Sequence, residues 1–241
     1  MRDQHVSTDT EREATTDTAR EATTDTERDA TTDTERDAST DTERDATTDT
    51  KRGGDVLAPS RADRRPGATV WLTGLPSAGK TTIARALGDR LTAEGHWVEV
   101  LDGDDLRTNL TGDLGFSRED RDTNVRRVGF LARLLARNGV TVLVGVIAPY
   151  AGARAQVRAD HATDGAAFVE VHVATPLDVC EDRDVKGLYA KQRAGELTGL
   201  TGVDAPYEIP QEPDLRLDTS GLTIEQAAAQ VHAVLAARGL A

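Results

Sequence analysis

The stretch of sequence that decides the fold is Gly74-Leu75-Pro76-Ser77-Ala78-Gly79-Lys80-Thr81, which matches the pattern G-x-x-x-x-G-K-[ST]. An apolar run of strand type, residues 68–73, precedes it, and residues 82–91 carry apolar side chains at helical spacing. Glycines let backbone N–H groups turn onto phosphate oxygens, and the N-terminus of the following helix adds a favourable dipole. We therefore predict a phosphate-binding loop between a strand and a helix.

Each polar residue of this loop has a chemical use. Lys80 can reach the β and γ phosphates of a nucleotide, and the Thr81 hydroxyl can bind Mg²⁺. We predict that residues 74–81 and Thr82 bind the phosphates of a nucleotide, with Lys80 as a catalytic residue, and the loop by itself leaves P-loop ATPases, GTPases and kinases open. The alternative is an ordinary glycine-rich turn. It is disfavoured because the bare pattern arises by chance in a chain of this length only about 1% of the time.

The first 52 of the 241 residues differ in composition from the rest. From Thr8 onward they repeat an octapeptide of the type TDTERDAT, which has almost no side chain larger than Ala to bury. Such a segment cannot offset the entropy lost on ordering, so we predict a disordered tail and linker over residues 1–60. A tethering arm, a neutral repeat expansion and a misplaced start are all compatible with this composition, and we favour the expansion or the misplaced start over an arm.

Charge and composition exclude several classes of function. The repeat segment carries −8 of the formal net charge of −13, which leaves a mildly acidic remainder and argues against general nucleic-acid binding. No apolar run approaches the 18 residues of a membrane span. Cys180 is the only cysteine, which excludes an intramolecular disulfide and is typical of a reducing compartment. We expect a cytoplasmic enzyme with one domain over residues 66–241.

Strand and helix patterns alternate after the loop. This alternation predicts a doubly wound α/β fold with a mainly parallel sheet, whose ligands lie beyond the carboxyl ends of the strands. The segment 182–213 interrupts this alternation, because it is long, basic and poor in apolar periodicity. We predict a mobile lid there. The predicted strands are residues 96–101, 140–147, 168–173 and 215–218, and the predicted helices are residues 117–138, 176–181 and 223–238.

Two carboxylates, Asp102 and Asp104, follow the second predicted strand. They could divide the work of orienting an accepting hydroxyl as base and holding a metal ion through water. We predict both as catalytic residues, and Asp104 together with Thr81 as the metal site. The competing interpretation is an Asp-Gly turn chosen only for its conformation.

Several blocks, in order from about residue 67 to the C-terminus, resemble the adenylylsulfate kinases. Any one of them is a weak signal, but the ordered set is highly specific. The blocks include Leu101-Asp102-Gly103-Asp104, Asp113-Leu114-Gly115-Phe116-Ser117, Asn124-Val125-Arg126-Arg127, Ala148-Pro149-Tyr150, Val185-Lys186-Gly187-Leu188-Tyr189 and Gly202-Val203-Asp204-Ala205-Pro206-Tyr207-Glu208.

The resemblance implies a P-loop kinase fold and an activity. The implied reaction is transfer of the γ-phosphoryl group of ATP to the 3′-hydroxyl of adenosine 5′-phosphosulfate, with Mg²⁺. It also implies a homodimer and leaves open a separate ATP sulfurylase as a partner. By position, Arg183 is expected to contact ATP. The expected substrate contacts are Arg107, Phe116, Arg121, Asn124, Ile147, Ala148, Lys186 and Leu200.

The chain departs from the family pattern at a few positions. Many members have Ser where this chain has Ala148, so no phosphoserine can form here, and Leu200 stands where a second stacking Phe is usual. Loss of one stacking face would weaken base binding by about 1 kcal/mol. For Phe116 a core position, and for each arginine a solvated helix face, remain alternatives.

Two other functions compete with the implied one. The first is a sibling P-loop kinase that acts on another small hydroxyl or nucleotide-like acceptor, for which Ala148 and Leu200 are the discriminating positions. The second is a non-catalytic nucleotide-binding protein. The presence of Lys80, Thr81 and both carboxylates argues against that second alternative.

Overall fold

The structure of the chain is a computed structural model, and it describes residues 67–241. The tail and linker that we predict to be disordered, residues 1–60, lie outside the described residues. Among the described residues, no helix has both the length and the apolar character that a membrane crossing requires.

Five parallel strands form one sheet in the described part of the chain. Their order is β2-β3-β1-β4-β5, and every pairing is parallel. The predicted α/β fold with a mainly parallel sheet is therefore confirmed. The strands are β1 (Ala68–Thr73), β2 (Val98–Asp102), β3 (Thr141–Gly145), β4 (Ala167–Val173) and β5 (Leu215–Leu217).

Seven helices accompany these strands within residues 67–241. Four of them occupy predicted positions: the helix after the phosphate-binding loop and those predicted at residues 117–138, 176–181 and 223–238. The helices are α1 (Lys80–Ala93), α2 (Gly103–Asn109), α3 (Arg118–Ala136), α4 (Ala151–Thr163), α5 (Leu177–Arg183), α6 (Leu188–Arg193) and α7 (Ile224–Ala237).

The sequence patterns did not predict α2, α4 and α6. Helix α6 lies inside the segment 182–213 that we expected to be irregular. Only Tyr189 is buried in this six-residue helix, so no apolar periodicity could reveal it. Helix α2 begins at the Asp-Gly pair, because the Asp102 carboxylate accepts a hydrogen bond from the Asp104 backbone N–H and caps the helix.

The core has a layer on each face of the sheet. Alternate residues of β1 face opposite layers: Val70 and Leu72 pack with α1 and α7, whereas Trp71 packs with α3 and α4. Trp71 is fully buried, whereas Trp97 just before β2 is 53% exposed. Because both faces are covered, the central strands read as continuous apolar runs. This packing fixes the carboxyl ends of β1, β2 and β3 beside one another.

Candidate active site

The loop after β1 leaves a helix N-terminus open. At Gly74 a Cβ atom would lie 2.4 Å from the Val173 carbonyl oxygen, so only glycine allows this approach of loop and strand. Gly79 has φ of 100° and is the N-cap of α1, and no side chain caps the helix there. The first N–H groups of α1 therefore remain without a side-chain acceptor, which is the arrangement that binds phosphate oxygens.

Lys80 lies buried inside the loop. Its Nζ donates hydrogen bonds to the carbonyl oxygens of Gly74 at 3.0 Å and Leu75 at 2.6 Å. Burial lowers the pKa of Lys80 to about 8, although the negative charges of Asp104 and Asp102 oppose this shift. A bound polyphosphate would add further negative charge and favour the protonated form. The ammonium is thus already positioned where phosphates would lie.

Thr81 and Asp102 form the next contact of the site. The Thr81 hydroxyl donates to Asp102 Oδ2 at 2.6 Å, and the backbone N–H of Asp104 donates to Oδ1 at 2.8 Å. Burial alone would raise the pKa of Asp102, but these hydrogen bonds outweigh it and the pKa is lowered. Asp102 is therefore ionised at neutral pH and held in one orientation beside the loop.

Asp104 differs from Asp102 because its carboxylate is exposed and reaches the predicted lid. It forms an ion pair with Lys186. Two further contacts join the same segment to the phosphate-binding loop: the Val185 N–H donates to Ser77 Oγ at 3.3 Å, and the Tyr189 hydroxyl donates to the Pro76 carbonyl oxygen at 3.0 Å. The segment predicted as a lid therefore lies against the loop.

On the opposite side of the cavity, two arginines surround Phe116. The ring is 70% exposed, which excludes the alternative of a core position. The guanidinium carbons of Arg107 and Arg121 lie 4.3 Å and 5.9 Å from its centroid. Arg107 also donates to the carbonyl oxygens of Leu114 and Gly115, both at 2.7 Å. These arginines build the wall of the cavity and do not simply face solvent.

Arg121 and Asn124 connect this wall to neighbouring segments. Arg121 donates to Thr201 Oγ1 at 2.5 Å and to the Gly199 carbonyl oxygen at 2.7 Å. Asn124 Oδ1 accepts a hydrogen bond from the Thr111 hydroxyl at 2.8 Å. Both residues project from α3, whose N-terminus is capped by Ser117.

One cavity of about 450 Å³ brings most of the predicted site residues together. It lies at the carboxyl ends of β1, β2 and β3, between the phosphate-binding loop and the Phe116 wall. From the predicted set, its lining includes Pro76, Ser77, Gly79, Lys80, Thr81, Thr82, Asp102, Asp104, Arg107, Phe116, Arg121, Asn124, Ile147, Ala148 and Lys186.

Five residues of the predicted set do not line this cavity: Gly74, Leu75 and Ala78 of the loop, together with Leu200 and Arg183. Leu200 is buried and packs with the core cluster that includes Tyr189, and its expected contact with the substrate stays a prediction. A leucine at that position contributes to the core because no polar group keeps it at the surface. Arg183 instead contacts the loop and the segment before α7, donating to Ala78 O at 3.4 Å and to Thr219 Oγ1 at 2.9 Å.

The sequence patterns missed several lining residues. Gly145 and Val146 at the end of β3, Pro149 beyond it, and Val185 and Leu188 in the lid segment also line the cavity. Gly145 and Val146 could have been predicted from the sequence, since ligands of parallel sheets bind at strand ends. The lid residues carried no such signal, because their positions depend on how α6 folds back on the loop.

This geometry defines a class of protein. A phosphate-binding loop, two carboxylates at a neighbouring strand end and a basic lid, all facing one cavity of a parallel sheet, are the parts of a P-loop kinase. More narrowly, the chain belongs to the adenylylsulphate kinase family, whose model matches residues 66–218.

Relatives and solved structures agree with this assignment. The chain is 54% identical over 168 residues to an adenylyl-sulfate kinase of Rippkaea orientalis, covering 70% of this chain and 91% of the relative. It is 59% identical over 153 residues to a probable adenylyl-sulfate kinase of Synechocystis sp., covering 64% and 84%. The structure of the Mycobacterium tuberculosis APS kinase CysC in complex with AMPPNP and APS matches with a TM-score of 0.69 and 48% identity, covering 71% of this chain and 98% of that one.

Proposed function

We propose that the protein transfers the γ-phosphoryl group of ATP to the 3′-hydroxyl of adenosine 5′-phosphosulfate. The observation that carries the proposal is one cavity that is lined by Lys80 and Thr81, by Asp102 and Asp104, and by the Phe116 wall. Phosphoryl transfer consists mainly of positioning and charge stabilisation, and both sides of the cavity supply these.

The donor side of the cavity would hold ATP. The N–H groups at the start of α1 and the Lys80 ammonium would bind its phosphates. The Thr81 hydroxyl and the carboxylates of Asp102 and Asp104 are oxygen donors of the kind that Mg²⁺ prefers. Within the described residues, no cluster of three or more His, Cys, Asp or Glu side chains could hold a metal ion by itself. Sparse protein ligation is typical of Mg²⁺ bound with nucleotide phosphates, whose charge it neutralises when bound.

The acceptor side would hold the sulfonucleotide. The exposed Phe116 ring offers a stacking face for adenine, and the forked guanidinium groups of Arg107 and Arg121 suit phosphate and sulfate oxygens. Asp104 is the carboxylate with the freer side chain, since Asp102 is committed to Thr81 and to the cap of α2. We therefore assign Asp104 to orienting the 3′-hydroxyl and accepting its proton, and Asp102 to holding Thr81.

The lid contact between Lys186 and Asp104 bears on the order of events. Binding of the acceptor between Asp104 and the phosphate loop would separate this ion pair and release the Lys186 ammonium toward the phosphates. Ala148 has no hydroxyl, so transfer proceeds directly from ATP to the acceptor without an intermediate on this residue.

Product identification tests the proposal. The full chain is incubated with ATP, Mg²⁺ and adenosine 5′-phosphosulfate at micromolar concentration, and the nucleotides are separated and identified. We expect ADP and 3′-phosphoadenosine 5′-phosphosulfate, and no product from Lys80→Ala. ADP formed only with a different hydroxyl acceptor would favour the sibling kinase, and nucleotide binding without turnover would favour a non-catalytic protein.

We also propose that the protein acts in the cytoplasm as a homodimer. The family resemblance supports the homodimer. The single cysteine, Cys180, is buried and free, and it supports the cytoplasmic location. Light scattering coupled to size exclusion tests the oligomeric state. A monomer, or an assembly of higher order such as the hexameric APS kinase from Thiobacillus denitrificans, would contradict the dimer.

A further inference from the structure

Arg154 on α4 does not line the cavity, but it donates a hydrogen bond to Ala148, which does. Its side chain is 3% exposed. The guanidinium donates three hydrogen bonds to three separate segments: to Glu170 Oε1 at 3.0 Å, to the Ala148 carbonyl oxygen at 2.7 Å and to the Glu208 carbonyl oxygen at 2.6 Å. A buried arginine whose fork spans β4 and two loops fixes their relative positions.

One of these acceptors belongs to an unfavourable backbone conformation. Ala148 has φ of 45°, in the left-handed region that favours glycine. It lies between Ile147 and Pro149, and all three residues line the cavity. An alanine keeps such a conformation only where its surroundings enforce it. The bond from Arg154 to the Ala148 carbonyl is a contact that can enforce it.

Glu208, whose carbonyl oxygen also accepts from Arg154, connects the residues around Ala148 to the segment after Leu200. The Glu208 N–H donates to the Pro149 carbonyl oxygen at 2.8 Å, and Glu208 Oε2 accepts from the Ala151 N–H at 2.7 Å. The Arg154 guanidinium also lies 5.8 Å from the centroid of the Tyr207 ring. Residues 147–151 and 207–208 therefore form one unit, which we call the acceptor clamp. Its two halves are joined by Arg154 and by the side chain and N–H of Glu208.

We propose that Arg154 is a positioning residue for the acceptor nucleotide, acting through the acceptor clamp. The expected effect on acceptor binding in kinetic assays rests on the proposed function. The clamp presents Ile147 and Ala148 to the cavity. Within the described residues, Arg154 donates hydrogen bonds to the clamp and to Glu170, and none to the phosphate-binding loop. A change at Arg154 therefore alters acceptor binding and leaves ATP binding unchanged.

The substitution Arg154→Lys tests the inference, because lysine keeps the charge beside Glu170 but cannot reach three acceptors at once. We expect the KM for adenosine 5′-phosphosulfate to rise about tenfold, with the KM for ATP changed less than about twofold. The matched control is Arg158→Lys, one turn further along α4. Among the described residues, Arg158 contacts the carboxylates of Glu170 and Asp214 and the Phe168 ring, and no residue of the clamp.

A second variant separates positioning from general support of the fold. Glycine reaches the left-handed region without strain, so in the Ala148→Gly variant Arg154 no longer has to enforce that conformation. We expect Arg154→Lys to raise the acceptor KM only about threefold in the Ala148→Gly background, compared with about tenfold alone. Equal effects in both backgrounds would overturn the inference, because a structural role would add independently.

A readout without substrate keeps this inference distinct from the proposed function. In the ligand-free full chain, Arg154→Lys should speed amide hydrogen exchange in peptides covering residues 147–151 and 207–208, whereas Arg158→Lys should not. Unchanged exchange there overturns the inference. A parallel rise of the KM values for ATP and for adenosine 5′-phosphosulfate in Arg154→Lys also overturns the inference. If the wild-type chain forms no 3′-phosphorylated product, the proposed function fails, and the exchange experiment still decides the role of Arg154.

Discussion

At the scale of single residues, Lys80 shows how burial prepares a charge for a ligand. Its ammonium is enclosed by the loop that it serves and donates only to backbone carbonyl oxygens of that loop. This enclosure makes protonation unfavourable relative to water, so the pKa lies near 8 in the ligand-free chain. Bound phosphates add negative charge beside Lys80 and so stabilise its protonated form. ATP binding is therefore linked to proton binding at this side chain.

The linkage predicts a pH dependence of ATP affinity. Below pH 8 Lys80 is already protonated, whereas above pH 8 binding must take up a proton, so the affinity should fall by up to about tenfold per pH unit. Calorimetric titration with a non-hydrolysable ATP analogue between pH 7 and 9.5 measures this. The control is Lys80→Arg, which stays protonated and should show no such slope. A flat wild-type profile would contradict the assignment.

Asp104 allows a residue-scale test of the carboxylate roles. Because its side chain is 67% exposed and does not contribute to the core, Asp104→Asn should lower kcat at least a hundredfold without changing the unfolding temperature. The matched control is Asp105→Asn, an exposed neighbour on α2 that does not line the cavity. Similar losses of kcat in both variants would show that charge near the site, and not the Asp104 carboxylate, matters.

At the scale of elements, helix α7 depends on a capping box. The Thr223 hydroxyl accepts from the Gln226 N–H at 3.2 Å, and the Gln226 side chain accepts from the Thr223 N–H at 2.9 Å. Thr223→Ala should lower the free energy of unfolding by about 1 kcal/mol. Urea unfolding measures this. Thr92→Ala, at an exposed position inside α1, is the control and should be close to neutral. Equal stability of the two variants would exclude a role for the cap.

The elements also show what the sequence could and could not predict. Strands with two buried faces and helices with an apolar stripe were predicted to within a few residues, because their patterns directly reflect the packing. Helix α6 was not, since it is held by the Tyr189 bond to Pro76 and by Asp184, which accepts from the N–H groups of Tyr189 and Ala190. Contacts between distant segments leave no periodic trace in a sequence.

The site was predictable to a similar degree. The loop motif placed Lys80 and Thr81, and the strand-end rule placed Asp102. Arg154 could not be predicted, because its partners Ala148, Glu170 and Glu208 come together only when α4 packs on β4. The burial of Leu200 could not be predicted for the same reason, because it depends on the core cluster that encloses this residue and not on its neighbours in the chain.

At the scale of the whole molecule, residues 67–241 contain both core layers and the residues given above as the lining of the cavity. Removing residues 1–52, with a new initiator Met, should therefore leave kcat and the unfolding temperature unchanged. The deletion removes −8 of the formal net charge of −13, so the KM for the two anionic substrates should become less sensitive to salt. Steady-state assays at two ionic strengths check both statements. A large loss of kcat would show that the repeats take part in catalysis.

The two tryptophans give the chain an optical reporter that needs no label. Trp71 is shielded in the strand that runs into the phosphate-binding loop, whereas Trp97 lies half open to water near the start of β2. An aqueous quencher such as iodide would suppress the emission of Trp97 and spare that of Trp71. The remaining fluorescence then comes from a position three residues before Gly74, and nucleotide binding can be followed by its change.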